Sequence, residues 1–137
     1  MLRLETKGRA RALQLLYAWE LTGEGVVHDV ASRMTRITGP EPRILDFAEQ
    51  LASRVAANVT ALDRHAAVAA ENWRMSRIAV VERNILRLAI QELTDGEVPP
   101  KVVIDEAVRL AHWFGGAKAP AFVNGDVDRV AHSLGRL

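Results

Sequence analysis

Few side chains in this sequence could do covalent or metal chemistry, and their spacing argues against it. The four histidines, His28, His65, His112 and His132, form no i, i+4 pair and no HExxH run, so no helix face presents two ring nitrogens to a zinc ion. They are expected at the surface or the edge of a core. Asp105 and Glu106 are adjacent, which turns them about 100° apart on a helix. That is poor geometry for shared general acid/base work, and acids near a helix start explain them. Gly115-Gly116 lacks the preceding strand that a phosphate loop requires. There is no cysteine, which excludes a disulfide framework, a thiolate metal site and a thiol nucleophile. No metal site is expected. What remains is binding chemistry. Lys7, Arg9 and Arg11 open the chain with positive charge, and Lys118 lies in a glycine-containing loop just before Phe122, whose ring a nucleic-acid base could reach. Tyr17, Trp19, Trp73 and Trp113 are scattered and fit a core better than a stacking surface.

The bulk properties frame these residues. At 137 residues and 49% hydrophobic content, the chain has the size of a single domain able to form its own core. Its 18 Lys+Arg against 17 Asp+Glu leave a net charge of +1, so a basic surface has to be local. Residues 1–14 are such a place, with Arg3, Lys7, Arg9 and Arg11 against Glu5 alone. Positive charge at a helix N-terminus opposes the helix dipole by about 0.3–1 kcal/mol per charge, so these residues cost stability unless they serve a ligand or the helix start is frayed and solvated. No apolar run reaches the ~18 residues of a membrane span, and no cleavage-site pattern follows the basic start, so a soluble cytoplasmic protein is expected.

The elements that must position these side chains are helical. Ala, Leu, Arg and Glu dominate and no alternating β-branched runs occur, so the sequence predicts an all-α domain. Helices are expected near 6–21, 28–37, 41–58, 61–70, 80–93, 101–114 and 120–134, about seven in all. Asn58-Val-Thr60 reads as a kink or a fresh cap, with Leu62 and Val68 pointing inward after it. Trp73 and Met75 precede the central segment, VVERNILRLAIQEL from Val80 to Leu93. Ile78, Val81, Ile85, Leu86, Leu88, Ala89, Ile90 and Leu93 cover about 200° of that helix, twice the stripe of a surface helix, so it must be packed on two sides. Arg83, Asn84, Arg87 and Gln91 form a narrow polar seam, expected to meet water or a partner. Glu82 projects from the apolar arc. Either its first-turn position near the helix dipole satisfies it, or it meets a partner.

Four stretches together resemble the NusB family of bacterial transcription antitermination factors. They are RARALQLLYAWEL (Arg9 to Leu21), VVERNILRLAIQEL, VPPKVVIDEAVRLAHWFG (Val98 to Gly115) and FVNG (Phe122 to Gly125), and the likeness runs in order over nearly the whole chain. The resemblance implies two small helical bundles packed roughly perpendicular, about 1–72 and 73–137, within a single RNA- and protein-binding domain. It implies no catalysis and no cofactor. The implied partners are boxA-type single-stranded RNA and NusE, a small-subunit ribosomal protein, acting with RNA polymerase to prevent premature termination of ribosomal RNA transcription. Carried onto this chain, the RNA contacts fall on Lys7, Arg9, Arg11, Lys118 and Phe122, and the partner contacts on Tyr17 and Glu82.

Several positions depart from the family pattern. Ala79 stands where the family commonly has a Ser cap, and Asp126 replaces an apolar residue after FVNG. Lys118 replaces a polar or acidic residue, and Ala121 a basic one. Two other readings are a detached NusB-like RNA-binding subunit of a ribosomal-RNA methyltransferase and a helical module that binds only protein. Binding to boxA-like RNA with and without NusE separates all three.

Overall fold

The computed structural model describes residues 3–23, 25–38, 42–70 and 78–137, without the side chains of 34–38 and of Ala70. Six α-helices and no strands occur among them: α1 (Leu4–Leu21), α2 (Val27–Thr38), α3 (Pro42–Ala70), α4 (Val80–Asp95), α5 (Pro100–Phe114) and α6 (Ala119–Ser133). Gly39-Pro40, Trp73 and Met75 lie outside the described residues, as do the side chains of Met34 and Ile37. The predicted third and fourth helices are one. Asn58 and Thr60 continue α3, and the Asn58 side chain, instead of capping, donates to Gln91 Oε1 at 3.1 Å. Val68, expected inward, is 70% exposed, whereas Leu62 is buried.

The chain divides into two compact units, residues 1–57 and 58–137, so the division falls within α3. The last turns of α3 group with the C-terminal helices because α4 side chains hydrogen-bond to them. In the first unit, α1 buries Ala12, Leu13, Leu15, Leu16 and Trp19, α2 buries Val27 and Val30, and α3 buries Ala48, Leu51, Ala52 and Val55. Trp19 Nε1 donates to Gly25 O at 2.6 Å, which holds the α1–α2 connection against the core. A Cβ on Gly8 would lie 2.3 Å from Phe47 Cδ1, so only glycine lets Phe47 of α3 sit against α1.

In the second unit, α4 packs against both α5 and α6, as its wide apolar arc requires. Ile85, Leu86, Leu88, Ile90 and Leu93 are all essentially buried. At about 1.5–3 kcal/mol for each such side chain, their burial far outweighs the ~0.5–2 kcal/mol of an N-cap. That balance explains why α4 forms although its N-cap residue, Ala79, makes no side-chain cap. Ala79→Ser should supply an acceptor for the Glu82 amide and raise stability by about 0.5–2 kcal/mol. A thermal melt with no rise would show that the first turn gains nothing from a cap. At its other end α4 stops at Gly96, whose φ of 76° suits glycine, and Pro100 starts α5 at its first turn.

Three of the four residues of the polar seam of α4 are shut away from water, and only Arg83 is half-exposed. Asn84, Arg87 and Gln91 are buried, and hydrogen bonds within the unit engage each of them, although Asn84 Nδ2 is left without a partner. Arg87 makes a two-pronged pair with Asp63 of α3, Nε to Oδ1 at 2.7 Å and Nη2 to Oδ2 at 2.8 Å, and its Nη1 donates to Asn84 Oδ1 at 3.0 Å. Gln91 Nε2 donates to Asp95 Oδ1 at 2.8 Å.

Candidate functional site

The site residues fall on two separate scaffolds. On α1, Lys7, Arg11, Gln14, Tyr17 and Leu21 follow one another at helical spacing of four, three, three and four residues, which places them on one face. Lys7, Gln14, Tyr17 and Leu21 are exposed and Arg11 is half-buried. The first turns of this face carry cations, and its last turns carry Tyr17, 42% exposed, and Leu21, 66% exposed. Arg11 Nη1 donates to Gln14 Oε1 at 3.1 Å, which leaves further guanidinium donors available to a ligand.

Arg9 does not belong to that face. The family resemblance puts an RNA contact on it, but it is only 5% exposed, with its guanidinium carbon 5.8 Å from the centre of the Phe47 ring. The reason is helical geometry: two residues from Lys7 along α1, Arg9 points to the opposite side, onto α3. A charge reversal there would disturb the packing of α1 on α3 as well as any ligand contact, so Arg9 is unsuited to a clean test of ligand binding.

The second scaffold is the connection between α5 and α6. Glu82 is the third residue of α4, and its Oε1 accepts the Gly116 backbone N–H at 3.1 Å. The carboxylate that looked out of place in the apolar arc is therefore half-buried and hydrogen-bonded to the α5–α6 loop. A Cβ on Gly115 would lie 2.6 Å from Ala119 Cβ, 2.8 Å from Ala111 O and 3.2 Å from Glu82 Oε1, so the loop closes too tightly for any side chain. Beyond it, Ala119 N donates to Gly116 O at 3.0 Å and Phe122 N to Lys118 O at 3.2 Å. Lys118 is exposed and Phe122 half-buried. Glu82, Lys118 and Phe122 thus share one connected piece of structure, while Lys7, Arg9, Arg11 and Tyr17 share α1.

One unusual group escaped the sequence reading. Asp126 on α6 is fully buried, with neither carboxylate oxygen hydrogen-bonded, and desolvation raises its pKa from 3.8 to about 7 against the opposing attraction of Arg129. Arg129 does not reach over to satisfy it, since its Nε donates to Ala69 O at 2.9 Å. The signal in the sequence was Asp126 at an apolar position of the last helix, which reads as a departure from a pattern and not as a buried charge. Among the described residues, no three His, Asp or Glu side chains cluster in a way that could hold a metal ion. His28 pairs with Glu49 and His132 with Asp128, both at the surface.

An all-helical scaffold that displays cations and a tyrosine on one helix, and a lysine on a braced loop, has the makings of a binding module. The sequence of residues 6–132 matches the model of the NusB family, and the chain belongs to that family. It is 43% identical over 130 residues to the transcription antitermination protein NusB of Anaeromyxobacter dehalogenans, covering 94% of this chain and 91% of that protein. It is 42% identical over 131 residues to the NusB protein of Sorangium cellulosum, covering 95% and 93%. Among solved structures it is similar to T. maritima NusB, with a TM-score of 0.83 at 28% identity over 96% of this chain and 93% of that one. A chain from the crystal structure of the antitermination factors NusB and NusE in complex with dsRNA superposes with a TM-score of 0.84 at 24% identity, over 97% and 99%, a likeness of fold.

Proposed function

We propose that this chain is a transcription antitermination factor that binds boxA RNA together with NusE and, with RNA polymerase, prevents premature termination of ribosomal RNA transcription. The observation that carries this reading is the family match over residues 6–132, joined by relatives named as antitermination proteins across nearly their whole length. The factor is not an enzyme. No helix among the described residues is long and apolar enough to cross a membrane.

In this reading Lys7, Arg11 and Lys118 supply phosphate contacts from exposed or half-buried positions, and Phe122 offers its ring edge or face to a base. Arg9 braces α1 from behind through Phe47 and adds positive potential. Tyr17, with Leu21 beside it, forms the protein-facing end of α1, and Glu82 contributes the acidic partner contact.

Titrating boxA RNA at several salt concentrations, with and without NusE, tests this. Each phosphate contact to a single strand contributes about −0.7 to the slope of log affinity against log salt, so Lys118→Ala should make the slope shallower by about that amount. NusE affinity should not change. Parallel salt plots for wild type and Lys118→Ala would remove the lysine from the RNA site. A wild-type chain that binds NusE but no boxA RNA would leave only a protein-binding module.

A further inference from the structure

The Glu82–Gly116 hydrogen bond gives Glu82 a task that needs no protein partner. We propose that Glu82 is a positioning residue for RNA binding: its carboxylate holds the Gly116 amide, and thereby sets the α5–α6 loop in the shape that presents Lys118 and Phe122 to RNA. This inference rests on the RNA-binding reading above and concerns the same loop.

The argument follows the bonds. Glu82 Oε1 takes the Gly116 N–H, Gly116 O takes the Ala119 N–H, and Lys118 O takes the Phe122 N–H, so two backbone bonds separate the carboxylate from the residues that face the ligand. The loop on the other side is held by sterics, because Gly115 is wedged against Ala111 O and Ala119 Cβ. Gly116 is exposed, so water competes for its amide, and a charged acceptor holds such an N–H better than a neutral one. Glu82 itself stands on the best-buried helix of the unit, a rigid base for the acceptor. The missing cap fits the same picture. In a capping box the third-residue Glu turns back to the N-cap amide, whereas here Ala79 offers no reciprocal side chain and Glu82 reaches across to the loop instead.

The test measures boxA RNA affinity at low salt in the absence of NusE, so that any part Glu82 plays in protein binding is silent. Losing one hydrogen bond should weaken RNA binding about two- to tenfold in Glu82→Ala. The salt slope should become shallower by about 0.7, as in Lys118→Ala, because the lysine is no longer held at its phosphate. The double variant should be no weaker than the weaker single one. Glu82→Gln keeps a neutral acceptor oxygen, so its affinity and slope should fall between those of Glu82→Ala and wild type. In the free protein, amide hydrogen exchange at Gly116 should speed up in Glu82→Ala and by less in Glu82→Gln. If Glu82→Ala keeps wild-type affinity and slope while Lys118→Ala changes both, the positioning role is overturned and the RNA-binding reading stands. If Lys118→Ala also changes nothing, or the wild type binds no RNA, the RNA-binding reading falls and this proposal with it.

Discussion

Between about pH 4 and pH 7 the folded chain should lose stability as pH rises, and Asp126→Asn should remove most of that loss. Asp126 has a folded-state pKa of about 7 against 3.8 for the free side chain, raised by burial against the opposing attraction of Arg129. Across this window the folded state keeps a proton that the unfolded chain has released, so each pH unit shifts the balance toward unfolding by about 1.4 kcal/mol. Below the unfolded value both states are protonated and no penalty exists. Above about pH 7 both are ionised and the full penalty applies, on the order of 4 kcal/mol for a shift of this size. Asn has the same shape and no charge at any pH, so the variant should match wild type near pH 4 and exceed it by a few kcal/mol at pH 8. Chemical denaturation at a series of pH values checks this. Wild-type and variant profiles that run parallel would mean that the carboxylate finds water or a partner when it ionises.

The second large effect is expected at Asp63. Its pair with Arg87 joins α3 to α4, and the Arg87 side chain is only 7% exposed against 26% for Asp63. Removing the acid strands a buried guanidinium, a loss that typically reaches 3–5 kcal/mol when both charges are buried. The partial exposure of Asp63 lowers the expectation to about 2–4 kcal/mol for Asp63→Ala. Arg87→Met in the same background should restore part of the loss, because an apolar chain of similar length fills the space without a charge to desolvate. A cost below about 0.5 kcal/mol for Asp63→Ala would place the pair among solvent-screened surface bridges.

The parts of this fold written in local signals were legible. Gly96, Pro99-Pro100 and Gly115 punctuate the chain where α4 ends, α5 begins and α5 ends, and the wide apolar arc of α4 required neighbours on two sides, which α5 and α6 provide. Features that depend on distant residues were not. The local preference of Asn58 and Thr60 for caps lost to the Asn58–Gln91 bond and to the burial of Val55 and Leu62 on either side, so one long helix formed where two were expected. The α4 seam looked ready for solvent because nothing in its own sequence reveals that Asp63 faces it. The same holds at the candidate site. The cations of α1 could be read from the chain's opening residues, but separating Lys7 from Arg9 required knowing that Phe47 covers one side of the helix. The bond from Glu82 to Gly116 joins an acid to a loop far along the chain, and no periodicity encodes it.

The exposed face of α1 also works as a ruler. At 1.5 Å of rise per residue, Lys7 and Tyr17 stand about 15 Å apart along the helix. That span exceeds the reach of a single lysine or arginine side chain, so a phosphate held at the first turns and a protein surface docked at the last turns occupy different ground. On the proposed assignment of RNA to the first turns and protein to the last, two ligands would share this helix without displacing each other, and any cooperation between them would have to come from their touching beyond it or from the helix being held straighter by both.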